Sequence, residues 1–524
     1  MRHITGFLFA IAALLLVLAC APRTGAIYTH DSRSYEYAAT TLIESGEMKY
    51  FGYDTPIIQW PPFYIAITAL LGLFDIPLTQ GAIWINAVCF AYLMYAMAVY
   101  LFDSLNVKWL AIPALLLVCA SVPMVLISGY AWTEMLFTFL SVLSMILLLQ
   151  YVKKNNVGWL IAASVISGLC WMTRYLGIVM IAVLAVVLFL SEKPLLRKIR
   201  MTFLYLFISC APMAVWVIRN FLISGTFTGG RSPGYFTLGD NLWLSMLVFK
   251  GWSSYITPLF AYIAAILLIL LICIPFFLEK QETKPEQKSH RDLLTAASYT
   301  LLYGVVLLAS ATGAAMDPIN DRLWAPVFPF WVLTLVFLMD VLIRNIQENR
   351  LKQWIAAGFL VFALVCATSP ALWISTEGLA RKYELTGLKQ DIGYRHSPIV
   401  SLVRDKIPRM KQTLVISNDA ALIGEHTRFK CYYLPKKYSI ALYAFSRYKE
   451  RMDEFRSVYL VWSGPMDSDS FMTVSEFRRV YDLKKIAQNN YCTIYRVKKI
   501  RRQPPQETND GKADVKTDTT QTVD

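Results

Sequence analysis

Charge is what this sequence has least of. Of its 524 residues only 16% are Asp, Glu, Lys or Arg, against about 25% in a soluble domain, too few to cover a water-facing surface. Histidine is scarce too, at five, and no CxxC or Cys/His pair has metal-ligand spacing. Cysteine is present but uninformative: seven of the nine (Cys20, Cys89, Cys119, Cys170, Cys210, Cys273 and Cys366) lie in or beside apolar runs, where a thiol packs as a small hydrophobe. These shortages exclude a secreted disulfide scaffold, a cytosolic enzyme and a disordered regulator. What is abundant points one way: 56% of residues are apolar, 14% aromatic, and the mean hydropathy is +0.46. Apolar runs of about 18 residues or more read as membrane-spanning helices, so the chain is expected to be an all-α polytopic membrane protein.

The net charge of +14, from 50 Lys and Arg against 36 Asp and Glu, would suggest nucleic acid in a soluble protein. In a membrane protein it reads as cytoplasmic loops, which collect Lys and Arg, and no nucleic-acid partner is expected. The apolar runs fall at 4–21, 80–102, 109–128, 131–151, 157–173, 175–191, 201–222, 254–278, 293–313, 323–343 and 353–372. The first is read as an uncleaved anchor; cleavage is the alternative, as Val17-Leu18-Ala19-Cys20 loosely resembles a lipoprotein processing box. Basic groups after Lys153, Lys193, Lys280 and Arg344 mark four cytoplasmic loops. That orientation places the loops 22–61 and 223–253 outside, with everything after 373. The segment 62–77 is short, holds Asp75 and is bounded by prolines; it is expected to dip into or lie along the outer face. About 11–12 transmembrane helices result, eleven without that segment.

Residues 373–500 change character. The β-rich runs 413–417, 457–462 and 492–497 alternate with helical patterns near 397–407, 441–455 and 473–483, which predicts a small extracytoplasmic α/β domain. Cys431 and Cys492 are a candidate disulfide pair in an oxidising space. The tail, 501–524, lacks an apolar face and is expected to be disordered.

The residues that carry chemistry are those that break the charge rule. Arg174, Arg219, Arg231 and Arg322 fall at or near the outer surface in this topology, where orientation does not favour cations. A guanidinium offers a planar fork matched to phosphate oxygens, so these four are candidate phosphate-binding groups. The plainer alternatives are that Arg322 pairs with Asp317 or Asp321 and that Arg219 snorkels to lipid headgroups. In the first outer loop, Thr29-His30-Asp31-Ser32-Arg33-Ser34-Tyr35 offers Asp31 as a carboxylate held at the bilayer surface, fit for general-base work. Its alternative is helix capping by Asp31 or Ser32. His30, Arg33, Tyr35 and Trp60 are candidate substrate-loop residues, and so is Glu134, which can equally serve as a helix-dipole partner.

These residues together resemble the C-type (GT-C) membrane glycosyltransferases, in the bacterial branch related to protein O-mannosyltransferases and the lipid A aminoarabinose transferase. The likeness runs through Asp31-Ser-Arg-Ser-Tyr-Glu-Tyr, Gly46, Trp60-Pro-Pro-Phe-Tyr64, Thr133-Glu134, Gly168 to Tyr175, Arg219-Asn220 with Gly225, and Arg322-Leu-Trp-Ala-Pro326. It covers residues 1–372, which it implies form the transmembrane glycosyltransferase domain. It also implies inverting transfer of a sugar from a polyprenyl-phosphate carrier to a glycan, lipid or protein acceptor on the outer face of the plasma (inner) membrane. Asp31 would be the base, and Arg174 and Arg322 would lead in holding the lipid phosphate. Two departures stand out. Ser32 replaces a frequent Glu, which argues against a divalent metal and leaves no cofactor expected, and Gln59-Trp60 replaces a lysine before the proline pair. The rival reading is a transporter or flippase for lipid-linked saccharides, against which stands the lack of an inverted repeat.

Overall fold

In the computed structural model the chain divides after His396 into two compact units. The structure describes residues 1–21, 25–27, 29–51, 55–191, 193–229, 234, 236–252, 286–314, 316, 318–345, 358, 397–410, 412–427, 429–434, 452–463 and 472–498. The expected span at 254–278, that at 353–372 apart from Gly358, the 372/373 boundary and the tail fall outside the described residues, as does Arg231.

The first unit is helical. Helix α1 is Arg2–Cys20, α2 is His30–Ser45, α3 is Phe63–Gly72 and α4 is Leu78–Ser104. A bent pair follows, α5 at Ala111–Cys119 and α6 at Val122–Ser128, then α7 at Glu134–Lys154, α8 at Val157–Thr173, α9 at Gly177–Phe189 and α10 at Leu195–Ser224. Next come α11 at Leu238–Trp252, α12 at Glu286–Gly313, α13 at Asp321–Trp324 and α14 at Phe328–Asn345. Among the described residues six helices are long and apolar enough to cross a membrane, seven if the bent pair is one span, and the chain is a multi-pass membrane protein. Exposed rows such as Phe7, Leu8, Ile11 and Leu15 on α1, and Phe203, Phe207, Val215 and Ile218 on α10, are faces that only lipid would cover without cost.

Local chemistry sets the boundaries. Lys153 and Lys154 occupy the last turn of α7, where cations complement the helix dipole, and Asn155 ends it in the left-handed conformation at φ 56°. Asn156 then opens α8 by accepting from the Gly158 amide at 2.8 Å. Helix α3, in the segment expected not to span, has ten residues and so reaches about 15 Å, half the hydrocarbon core. The 223–253 segment, expected as a loop, contains α11 in its second half: Asn241 there donates to Thr312 at 3.1 Å, so packing against α12 supports a helix that hydropathy alone did not mark. Helix α1 packs on α4, α7 on α8, α8 on α10 and α12 on α14.

The second unit is a five-stranded sheet in the order β2-β1-β3-β5-β4. Strand β1 (Thr413–Ser417) lies parallel to both β2 (Lys430–Tyr433) and β3 (Ser457–Ser463), and β5 (Cys492–Lys498) pairs antiparallel with β3 and with β4 (Asp482–Gln488). Every residue of β1 is buried, as a parallel strand covered on both faces requires. Helices α15 (Pro398–Lys406), α16 (Ala420–Thr427) and α17 (Val474–Arg478) accompany the sheet. The helical pattern expected over 473–483 is cut short, because from Asp482 the chain hydrogen-bonds to β5 through a turn in which Asn489 accepts from the Tyr491 and Cys492 amides. Most of the helix expected near 441–455 lies outside the described residues. Cys431 and Cys492 are both free. They sit on β2 and β5, three strand spacings apart, roughly 14 Å, beyond the about 7 Å limit for a disulfide.

Candidate functional site

The site is assembled at one end of the first unit, where α2, α7, α8 and α13 begin or end. Its frame is a seam between the loop after α1 and the turn before α7. Ile27 pairs with Tyr130 in a parallel bridge, its amide donating to Gly129 at 2.9 Å and its carbonyl accepting from Ala131 at 3.1 Å. Gly25 makes this approach possible: its φ is +94°, and a Cβ there would stand 2.7 Å from the Thr79 carbonyl oxygen, which neither backbone nor packing tolerates.

Helix α2 is capped by Thr29. Thr29 and Ser32 form a reciprocal capping box, with the Thr29 amide donating to Ser32 Oγ at 3.0 Å, so Ser32 takes the place that Glu or Gln usually holds. Ser32 also donates to the Ala131 carbonyl at 2.9 Å, and Trp132 donates through Nε1 to Thr29 Oγ1 at 2.9 Å. The capping alternative therefore applies to Ser32, as partner of Thr29, and not to Asp31, which stands in the first turn with its carboxylate directed elsewhere.

That carboxylate meets Arg322: Asp31 Oδ2 lies 2.7 Å from Arg322 Nη2. The same guanidinium donates through Nε to Glu134 Oε1 at 2.5 Å, and its Cζ lies 4.3 Å from the Trp132 ring centroid, a cation–π contact. Arg174 Nη1 donates to the same Glu134 oxygen and, at 2.9 Å, to Thr133 Oγ1. Four charged side chains thus form one chain of contacts, Asp31–Arg322–Glu134–Arg174, with no net charge. Burial grades along it: the side chain of Glu134 is fully buried, those of Arg322 and Arg174 are 13% and 16% exposed, and that of Asp31 is 24% exposed. Asp31 is the member most open to an incoming molecule. Of the alternative partners for Arg322, Asp321 accepts from Trp252 Nε1 at 2.8 Å, and Asp317 lies outside the described residues.

Arg174 owes its position to a break between two helices. It is extended, at φ −147° and ψ 140°, and α9 doubles back immediately, the Gly177 amide donating to the Arg174 carbonyl at 2.8 Å. A Cβ on Gly177 would stand 2.5 Å from Trp171 Cα, so this reversal needs glycine.

The remaining candidates distribute around this centre. Tyr35 is buried beneath it, its ring edge-on to Trp60 and Tyr64 at 5.3 Å each; burial, and then the neighbouring Asp31, push its phenol up from the ordinary range. Trp60 stacks on Tyr50 at 5.0 Å. Arg33 is half-buried on α2, and only the backbone of His30 is described. Arg219 does not join the charged chain: it donates to the Ile57 carbonyl at 2.7 Å, lies over Trp216 at 4.5 Å, and with Asn220 and Tyr175 fastens residues 57–58 of the first loop. Trp132 and Thr133 contribute contacts that sequence reasoning did not assign; their signal was a Trp-Thr-Glu run directly before a long apolar helix. Among the described residues no three His, Cys, Asp or Glu side chains stand together as metal ligands.

No family model and no curated protein matches this sequence. The chain is similar in fold to solved structures, two of which bear on the site. One is ArnT from Cupriavidus metallidurans bound to undecaprenyl phosphate, with a TM-score of 0.59, 14% identity, and coverage of 93% of this chain and 97% of that one. The other is the same protein in the apo state, with a TM-score of 0.57 at the same identity and coverage. The chain has the fold of the C-type (GT-C) membrane glycosyltransferases, the group that its motifs resemble.

Proposed function

We propose that the protein is an integral membrane glycosyltransferase that moves a sugar from a polyprenyl-phosphate carrier to an acceptor hydroxyl on the extracytoplasmic face of the plasma membrane. The observation that carries this reading is the pairing of a partly exposed carboxylate, Asp31, with two guanidiniums gathered on one buried acid. Asp31 takes the proton of the acceptor hydroxyl as the acceptor oxygen bonds to the anomeric carbon. The bond from that carbon to the phosphate oxygen breaks in the same displacement, which inverts the anomeric centre. Arg322 and Arg174 face the negative charge that gathers on the departing phosphate, where fixed cations lower the barrier most. This charge is supplied by arginine, so the transfer is read as metal-independent. Undecaprenyl phosphate, the ligand named for the similar ArnT structure, is the model for the carrier.

The placement outside is supported by charge. Glu134 begins α7 and the Lys153–Lys154 pair ends it, so the site stands about 30 Å from the basic end, which faces the cytoplasm. The sugar and the acceptor are set by contacts beyond these four residues. Release of free polyprenyl phosphate from polyprenyl-phosphate sugars, with a membrane glycolipid extract as acceptor source, tests the proposal. Turnover by the wild type, lost in Asp31→Asn with folding intact, is expected. Transbilayer movement of the lipid-linked sugar without any release would establish the flippase reading instead.

A further inference from the structure

Resting on the proposed function, we infer that the Arg322–Asp31 pair is a latch that the donor's phosphate opens, and that Glu134 is the positioning residue about which Arg322 turns. In the structure Asp31 Oδ2 is engaged by Arg322 Nη2 at 2.7 Å. A carboxylate whose oxygen already receives a guanidinium N–H is a poor proton acceptor, so the base is held out of use for as long as Arg322 holds it. Arg322 has a second hold on the protein, through Nε to the buried Glu134, and Trp132 lies against its plane. Releasing Asp31 therefore does not release Arg322. The Nη2 edge is the part of the fork that can exchange partners, because it faces the most exposed member of the cluster.

The charges make the exchange even. A polyprenyl-phosphate sugar is a phosphodiester with one negative charge, the same as Asp31. When the phosphate takes the Nη2 edge, Arg322 keeps one anion on that side and one, Glu134, on the other. Asp31 is then free to face the acceptor. The reaction next moves one negative charge across the site: the acceptor's proton goes to Asp31, which becomes neutral, and the phosphate leaves as a monoester carrying the charge that Asp31 gave up. Total charge is unchanged, while the cation has followed it from base to leaving group. Donor binding thus precedes activation of the acceptor, and an acceptor arriving first finds the base occupied. Glu134 also carries Arg174, so one buried carboxylate sets the spacing of both guanidiniums.

The test is titration of the purified, full-length protein in detergent with undecaprenyl phosphate, comparing wild type with Asp31→Asn, Glu134→Gln and Glu134→Asp. Asp31→Asn removes the competitor and is expected to tighten binding by about fivefold, the size of one partly exposed ion pair. Glu134→Gln removes the same charge but unfastens both arginines, and is expected to weaken binding by about tenfold or more. Glu134→Asp, which keeps the charge, restores part of the affinity. If Asp31→Asn binds as the wild type does or more weakly, the latch is overturned while the proposed function stands. If both neutralising variants tighten binding, charge removal alone explains the result and the positioning role of Glu134 is overturned. If no folded protein, wild type included, binds the lipid, both readings fall. Asp31→Asn alters a residue at the edge of the cluster, so this arm decides the latch even if Glu134→Gln does not fold.

Discussion

Among the described residues of the first unit, Glu134 and Asp340 are both completely buried carboxylates, and they are held in different ways. Glu134 opens α7 at the site and accepts from two guanidiniums. Asp340, on α14, accepts from the Asn106 amide at 3.2 Å, from Asn106 Nδ2 at 2.9 Å and from the Val107 amide at 2.8 Å, fixing the turn that follows α4. Helix α4 begins beside the first loop, at Thr79, and runs 27 residues, so the two acids mark opposite ends of the bundle, about 40 Å apart along that helix. The backbone amides that meet Asp340 cannot leave it without undoing a turn. The arginines that meet Glu134 are long side chains that can turn while one end stays fixed. A buried acid bound to loop amides is a fastener, whereas one bound to jointed cations is the root of a binding site.

Four substitutions and one labelling experiment sharpen or break this contrast. The largest effect is expected from Asp31→Asn: polyprenyl phosphate release should fall by about 10²- to 10⁴-fold, the share that a general base contributes, with the thermal unfolding temperature nearly unchanged. Glu134→Ala comes next. It leaves two largely buried guanidiniums without their shared anion, and thermal or denaturant unfolding should show a loss of about 3–5 kcal/mol along with activity. Asp340→Asn should cost less, about 1–3 kcal/mol, and leave binding of undecaprenyl phosphate intact. Loss of lipid binding in Asp340→Asn would erase the distinction between fastener and site.

Smaller still, Thr29→Ala removes one half of the α2 cap and the acceptor for Trp132, and unfolding should report about 0.5–2 kcal/mol. The smallest effect concerns the second unit. Burial pushes the thiol of Cys492 up to about 11 and that of Cys431 higher. Neither should form a disulfide, and alkylation of Cys492 in the folded protein should be slow near neutral pH and rise as the pH approaches 11. A mobility difference between reduced and non-reduced protein, traced to these two cysteines, would show the strand order to be wrong.

Much of the architecture was legible in the residues. The runs at 131–151, 157–173 and 201–222 became α7, α8 and α10 within a few residues, because hydropathy integrates over a whole span and tolerates error at the ends. Of the five strands, β1, β3 and β5 were marked by β-branched and aromatic side chains. The edge strands β2 and β4 were not: Asp482-Leu-Lys-Lys-Ile-Ala-Gln488 carries no strand composition and is extended only because β5 offers it a ladder. In the site, Arg174 and Arg322 stood out for a physical reason, being cations at the end expected to face outward, where the charge rule does not call for them, and Asp31 stood out as a carboxylate close behind the first apolar run. Arg219 carried the same signal and yet fastens a loop, since sidedness says nothing about direction. Glu134 read equally well as a dipole partner, and Trp132 gave almost no signal.

The sequence by itself determined that this is a multi-pass membrane protein, where its long apolar helices run, which end of α7 carries the basic pair and which few ionisable residues stand out elsewhere. These follow from local composition and period, which any stretch of chain expresses alone. Tertiary structure decided who meets whom. Arg322 reaches Glu134 across 188 positions of sequence and Arg174 reaches it across 40. Such meetings depend on how each helix is rotated about its axis and where its neighbours place their ends, and no local pattern records that.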